Sequence, residues 1–262
     1  MSAKDVKIHP TALVEKGAEL GMGVEIGPFS FVGSKVILED GVKLASHVVI
    51  SGRSKIGART RVWPFATLGT TPQDLKYNGE DTLFVCGEDN MFREYCNVSI
   101  GTAGGGGLTS IGSRNLLMNY THVAHDCKIG SGCIIANGAT LAGHIEVDDR
   151  AVIGGLTALH QFVKVGALAM LAGGSMVAQD VPPYVMVSGN RAKPVGINKV
   201  GLERAGFADS AISNIKRMYK TLFLSSSSLS DAKEAILKLS PGGPEIDTFV
   251  SFLNRSTRGI CR

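Results

Sequence analysis

The chain contains no run of 18 apolar residues, which excludes a helix long enough to span a membrane. Residues 1–10, MSAKDVKIHP, lack the apolar core of a signal peptide. Its five cysteines, Cys86, Cys96, Cys127, Cys133 and Cys261, are odd in number and form no Cys-x-x-Cys pair. A disulfide framework is therefore not expected, and a reducing cytoplasm is the expected compartment. Aromatic residues make up only 6% of the chain, although 44% is hydrophobic. No Ser-His-Asp or Cys-His spacing demands a covalent nucleophile. The Gly-rich stretch GTAGGGGLT (101–109) is not followed by Gly-Lys-Ser/Thr, so it is not a phosphate loop of the Walker type.

What the chain does have is a period of six. An Ile, Leu or Val stands at Ile8, Val14, Leu20, Ile26 and every sixth residue to Leu68, and again from Ile111 and Leu117 to Val177. Neither a helix (3.6) nor a simple strand (2) repeats this way. A hexad fits a short strand plus a corner, coiled into a β-helix with an aliphatic pointing inward on each side. Four residues after each aliphatic comes a small or β-branched residue, as at Ala12, Ser30, Thr60 and Ala66. Cys127 and Cys133 fall on this slot and read as buried small hydrophobes. Gly often follows the aliphatic directly (Gly21, Gly27, Gly57, Gly112, Gly130, Gly154), where a Cβ would clash or φ must be positive. Three hexads make an 18-residue coil, so residues 18 apart stack. The period does not set the hand, and the general crossover rule favours a right-handed path.

The period breaks in three places. Residues 70–83, TTPQDLKYNGEDTL, form a projecting loop, after which the phase resumes at Cys86, Phe92 and Val98. Residues 101–109 read as a flexible excursion. The repeats end near Val181-Pro182-Pro183, giving a β-helix over 1–189 and a helical domain over 190–262. In the latter the pattern predicts helices over 199–205, 210–223 (capped by Asp209), 231–239, and 245–254 after Pro241-Gly242-Gly243-Pro244. Residues 1–190 carry 15 Lys/Arg against 17 Asp/Glu, whereas 191–262 carry 12 against 6. The basic excess belongs to the tail and points to an anionic ligand or an acidic partner.

Four of six histidines, His122, His125, His144 and His160, cluster within three coils. The 18-residue coil places His125 beneath Gly143 and Asp126 beneath His144. His125 is the best general base, with Asp126 to orient it and the Gly143 N–H to stabilise an oxyanion. A base beside an oxyanion donor suits acyl transfer to a hydroxyl or amine. The rival use of such a cluster is zinc, with His122-x-x-His125 plus a third His. A non-catalytic scaffold is the third reading.

The segments QDLKYNGE (73–80), HVAHDCKIG (122–130), ATLAGHIEVDD (139–149), LHQF (159–162), AQDVPPYVMVSGN (178–190), GLERAGF (201–207) and RSTRGI (255–260) resemble those of the UDP-N-acetylglucosamine acyltransferase family. This resemblance implies a left-handed coil and a homotrimer with its sites in clefts between chains. It implies transfer of a 3-hydroxyacyl group from acyl carrier protein to the glucosamine 3-position, the first step of lipid A biosynthesis. The acyl group would ride on the carrier's phosphopantetheine, with no metal and no cofactor bound by the chain itself. His125 resembles the base, Asp126 its supporting carboxylate and Gly143 the oxyanion donor. His122, His144, His160 and Gln161 resemble cleft residues. Gln73, Asp74 and Lys76 resemble sugar-nucleotide contacts, as do Asn198 and Arg204 in the tail. Gly173 and Arg191 occupy positions tied to acyl length. Ser99, Val200, Ala205 and Arg191 depart from the family's usual His, acid, Arg and His. Related readings are a hexapeptide acyltransferase using coenzyme A or acting on an amine, and a zinc lyase of the carbonic-anhydrase type.

Overall fold

The structure is a computed structural model that describes residues 5–225, 228–239 and 243–262. Residues 1–4 of the expected first domain, and Pro241-Gly242 before the last expected helix, lie outside them. From Lys7 to Val177 the chain runs as short strands, mostly of two residues, dealt in turn to three parallel sheets. We number the sheets by the strands that open them: Lys7–Ile8 opens sheet one, Leu13–Val14 sheet two and Glu19–Leu20 sheet three. In Glu25–Ile26, Lys43–Leu44 and Arg61–Val62 the first residue faces out and the hexad aliphatic is buried. Coils pair in register 18 residues apart, Lys7 with Glu25 and Glu25 with Lys43. The inward aliphatics therefore stack one on another along a continuous core.

The small slot is filled as the hexad predicts, with Ser30, Thr60, Ala66, Cys96, Cys127, Cys133, Ala139 and Ala151 all buried. A polar side chain there must find a partner inside the coil. Ser30 Oγ donates to the Ala45 carbonyl (2.7 Å) and accepts from Val48 N–H (3.1 Å). The five cysteines are free and buried, and burial pushes the thiols of Cys86, Cys96, Cys127 and Cys133 up to about 12. None of the five is a thiolate nucleophile at neutral pH. Gly69 aside, where φ is +72°, the glycines after the aliphatic serve close approach rather than positive φ: a Cβ on Gly57 would lie 2.3 Å from Gly87 backbone in the next coil. Positive φ falls elsewhere in the corners, on side chains such as Phe65, Asp126 and His144.

The two excursions lengthen the register without breaking the sheets. Thr67 and Asn97 pair although 30 residues apart, and Asn97 and His122 although 25 apart. Both excursions leave from the corner between sheets two and three. At the corner between sheets one and two, the rings of Phe29, His47, Phe65, Tyr95 and Tyr120 stack in a ladder with centroids 4.8–5.1 Å apart.

Sheet one continues past the expected boundary at 189. Val185–Ser188 adds to it in parallel and Lys193–Ile197 pairs antiparallel with that strand. Among the described residues four helices follow: α1 (Lys199–Arg204), α2 (Asp209–Phe223), α3 (Leu229–Leu237) and α4 (Pro244–Arg255). The buried face of α2 is Ile212, Ile215, Met218 and Leu222, as its spacing predicts. Asp209 is not the cap residue but the first helical one, where its charge complements the helix dipole. Helix α3 starts two residues earlier than expected because Ser228 and Asp231 form a capping box. The tail is tied back to the coil. Buried Asp180 accepts from Lys164 N–H (2.8 Å) and Ser256 Oγ (2.7 Å), and Arg255 pairs with Glu146 and Asp148.

Candidate active site

The four histidines lie on three successive coils, three of them at the corner that throws out both excursions. His125 and Asp126 occupy this corner in one coil, Gly143 and His144 in the next, and His160 to Phe162 in the third. The Asp126 carboxylate is buried, and its Oδ2 accepts from His125 Nδ1 (2.8 Å). A carboxylate can only accept, so Nδ1 carries the proton and the Nε2 lone pair is left as the basic site. Gly143 packs directly on this ring, and its N–H has no acceptor among the described residues. A base and an unspent donor thus stand one coil apart.

His144 stands edge-on to His125, with centroids 5.1 Å apart, and stacks face to face on Phe162 at 4.4 Å. Its Nδ1 is 3.9 Å from Asp126 Oδ2. Burial lowers the His144 pKa, against the pull of Asp126. The charge of Asp74, on the 70–83 loop, adds a weaker upward pull. Phe162 is absent from the sequence-derived site, though its place 18 residues above His144 was readable.

His122 points outward from sheet two. Its Nδ1 meets Asn97 Oδ1 at 2.8 Å, and the Asn97 amide donates to Thr67 (2.9 Å) and Thr70 (3.1 Å) hydroxyls. That fixes His122 Nδ1 as a donor and leaves Nε2 open. Burial, then the neighbouring His125, lowers its pKa. The exposed His160 donates from Nδ1 to the Gln161 carbonyl (3.1 Å), and Gln161 is also exposed.

The loop is internally braced. Asp74 Oδ1 accepts from Lys76 N–H (3.0 Å), and Tyr77 OH donates to the Glu80 carbonyl (2.9 Å). Asp81 at its base pairs with Lys35 and Arg53. Gln73 and Lys76 are exposed, and Leu75 between them is fully so. The tail residues behave differently. Asn198 is buried and its amide is spent, accepting from Gly201 N–H (3.1 Å) and donating to the Leu168 carbonyl (2.9 Å). It caps α1, whose last turn presents an exposed Arg204 with no partner among the described residues. Arg191 and His160 line one open groove of about 720 Å³, with Arg258. Gly173 does not line it and sits at another corner over the Gly155 carbonyl. At the departures, Ser99 Oγ is buried without a hydrogen-bond partner among the described residues, and Val200 is exposed.

One expectation is corrected, and one rival reading finds no support in the geometry. The 101–109 stretch is not a loose excursion: Thr102 donates to both carboxylate oxygens of Asp126 and Thr109 Oγ1 accepts from Asp126 N–H. The zinc set built on His122-x-x-His125 does not form. Among the described residues, the side chains close enough to share an ion are His125, Asp126 and His144, and the Asp126 oxygens already accept three hydrogen bonds.

Fold and site together define a hexapeptide-repeat acyltransferase. Residues 108–143 match the bacterial transferase hexapeptide profile (six repeats), and 180–261 match domain 2 of UDP-N-acetylglucosamine O-acyltransferase. LpxA from Acinetobacter baumannii is 40% identical over 97% of this chain and 99% of its own, with a TM-score of 0.95. A further UDP-N-acetylglucosamine acyltransferase structure is 47% identical, covering 97% and 98%, at 0.93. The Arabidopsis enzyme is 32% identical, covering 97% and 100%, at 0.83. The chain belongs to the UDP-N-acetylglucosamine acyltransferase family, and its coil is the left-handed parallel β-helix.

Proposed function

We propose that the chain transfers a 3-hydroxyacyl group from acyl carrier protein to the glucosamine 3-hydroxyl of UDP-N-acetylglucosamine, opening lipid A biosynthesis in the cytoplasm. One observation carries the reading: a histidine with Nδ1–H held on a buried carboxylate and Nε2 open, beneath an unpaired Gly143 N–H. His125 Nε2 takes the proton of the attacking hydroxyl as the C–O bond forms. The Gly143 N–H steadies the oxyanion of the tetrahedral intermediate. The intermediate collapses, the C–S bond breaks, and the proton passes from Nε2 to the leaving thiolate. The chain supplies no cofactor of its own, since the acyl group arrives on the carrier's phosphopantetheine.

The loop bearing Gln73, Asp74 and Lys76 and the free Arg204 are assigned to the sugar nucleotide, whose diphosphate is anionic. The basic tail suits an acidic carrier. Support for a homotrimer comes from the solvent-facing rings of the ladder and from Leu75, apolar surface that a second copy would cover.

Mass spectrometry of products, with 3-hydroxyacyl groups on carrier protein or coenzyme A and with 3-hydroxy or 3-amino sugar acceptors, tests the reading. It expects an ester formed only from the carrier thioester, and loss of product in His125→Ala with the fold intact. Equal turnover by that variant overturns the mechanism.

A further inference from the structure

The acyl-transfer reading gives His125 and Asp126 their roles but leaves the 101–109 stretch unused. We propose that Thr102 is a positioning residue that fixes the tautomer and aim of His125 through Asp126. The inference rests on the acyl-transfer reading above.

Asp126 is nearly sealed from solvent, and a buried carboxylate must be matched by donors. Two of its three come from one residue. Thr102 N–H reaches Oδ1 at 2.9 Å and Thr102 Oγ1 reaches Oδ2 at 2.6 Å. Gripping both oxygens from one side fixes the carboxylate plane, as bidentate charge-assisted bonds do. Oδ2 is then shared between the Thr102 hydroxyl and His125 Nδ1–H, which holds the imidazole in the tautomer that leaves Nε2 basic.

Thr102 is itself anchored. Its carbonyl accepts from Gly105 N–H (3.0 Å) and Gly107 N–H (2.8 Å), closing the turn. The Gly101 carbonyl accepts from Thr82 Oγ1 (2.5 Å), at the base of the 70–83 loop. Gly105 lies against the carboxylate so closely that a Cβ there would stand 2.0 Å from Asp126 Cγ. The chain of contact runs from one excursion to the other and ends on the base.

The test compares Thr102→Val, Thr102→Ser and Gly105→Ala in the full-length protein. Steady-state kinetics and ¹⁵N-histidine NMR are read on each, with the His125 signals identified by their loss in His125→Gln. In Thr102→Val, kcat is expected to fall about 10- to 100-fold, the span of a lost charge-assisted hydrogen bond, with KM for both substrates nearly unchanged. The Nδ1–H tautomer of His125 loses its dominance in the same variant. Thr102→Ser restores both, and Gly105→Ala lowers kcat by displacing the carboxylate. If Thr102→Val is too unstable to assay, Thr102→Ala removes the hydroxyl without its bulk. Native kcat and a native His125 spectrum in the hydroxyl-deleted variant would overturn the proposal, as would a serine variant no better than valine. The spectrum needs no substrate, so it decides the positioning role even if the native protein transfers no acyl group.

Discussion

Gly143 sits on the face of His125 so closely that a Cβ at 143 would lie 2.7 Å from the ring's Cε1. The absence of a side chain is what lets the base approach the next coil. Gly143→Ala would push the imidazole off Asp126 and crowd the N–H proposed to hold the oxyanion. Loss of about 10²- to 10³-fold in kcat is expected, as for removal of an oxyanion donor. Steady-state kinetics beside a thermal melt separates this from unfolding. A variant that keeps native kcat would take Gly143 out of the site.

Of the two cations on α1, Lys199 pairs with Glu203 and Arg204 has no partner among the described residues. Its truncation to alanine should raise KM for the sugar nucleotide about tenfold, with kcat and thermal midpoint unchanged, because uniform binding is lost and no structural bond is broken. Equal effects on both substrates would point to the carrier instead.

His122 and His144 both bind protons less readily in the fold than in the unfolded chain, chiefly through burial. Between their lowered folded pKa values and about 6.5, the unfolded state holds more protons, so stability rises with pH across that window. It is lost as pH falls below about 6.5. Thermal midpoints measured from about pH 5 to 7.5 should slope upward, and His122→Gln should flatten the slope. An unchanged slope would mean that His122 takes its proton equally well in both states.

Asp180 joins the last coil to the final residues of the tail. Besides its side-chain bonds, its backbone pairs with Gly259 and Cys261. Asp180→Ala leaves the half-buried Lys164 N–H and Ser256 hydroxyl without their acceptor, at a cost of about 1–3 kcal/mol. Chemical denaturation should register this while His125 chemistry persists below the melting point. No loss of stability would show that the tail is held by its helices alone.

The hexad made the coil and its 18-residue ruler readable, and the ruler placed Gly143 over His125 and His144 over Asp126. It failed wherever an excursion reset the count. Thr102 binds Asp126 from 24 residues away and Asn97 binds His122 from 25, distances that no 18-residue period announces. The same limit hid the second excursion's purpose, because its glycines look like slack until Gly105 is seen against a carboxylate. In the tail, the apolar faces and the start of α1 at Lys199 were legible, but the other three helices start one or two residues earlier than their patterns suggest. A capping residue differs from a first-turn residue by a single position, and Ala208 before Asp209 carries no side-chain signal.

Both excursions leave the coil at one corner, and the pairing of all three sheets carries on across them. Length can thus be added or removed along that edge while the layers of the interior keep their neighbours. The molecule separates a continuous paired shaft from a single margin that carries its added length.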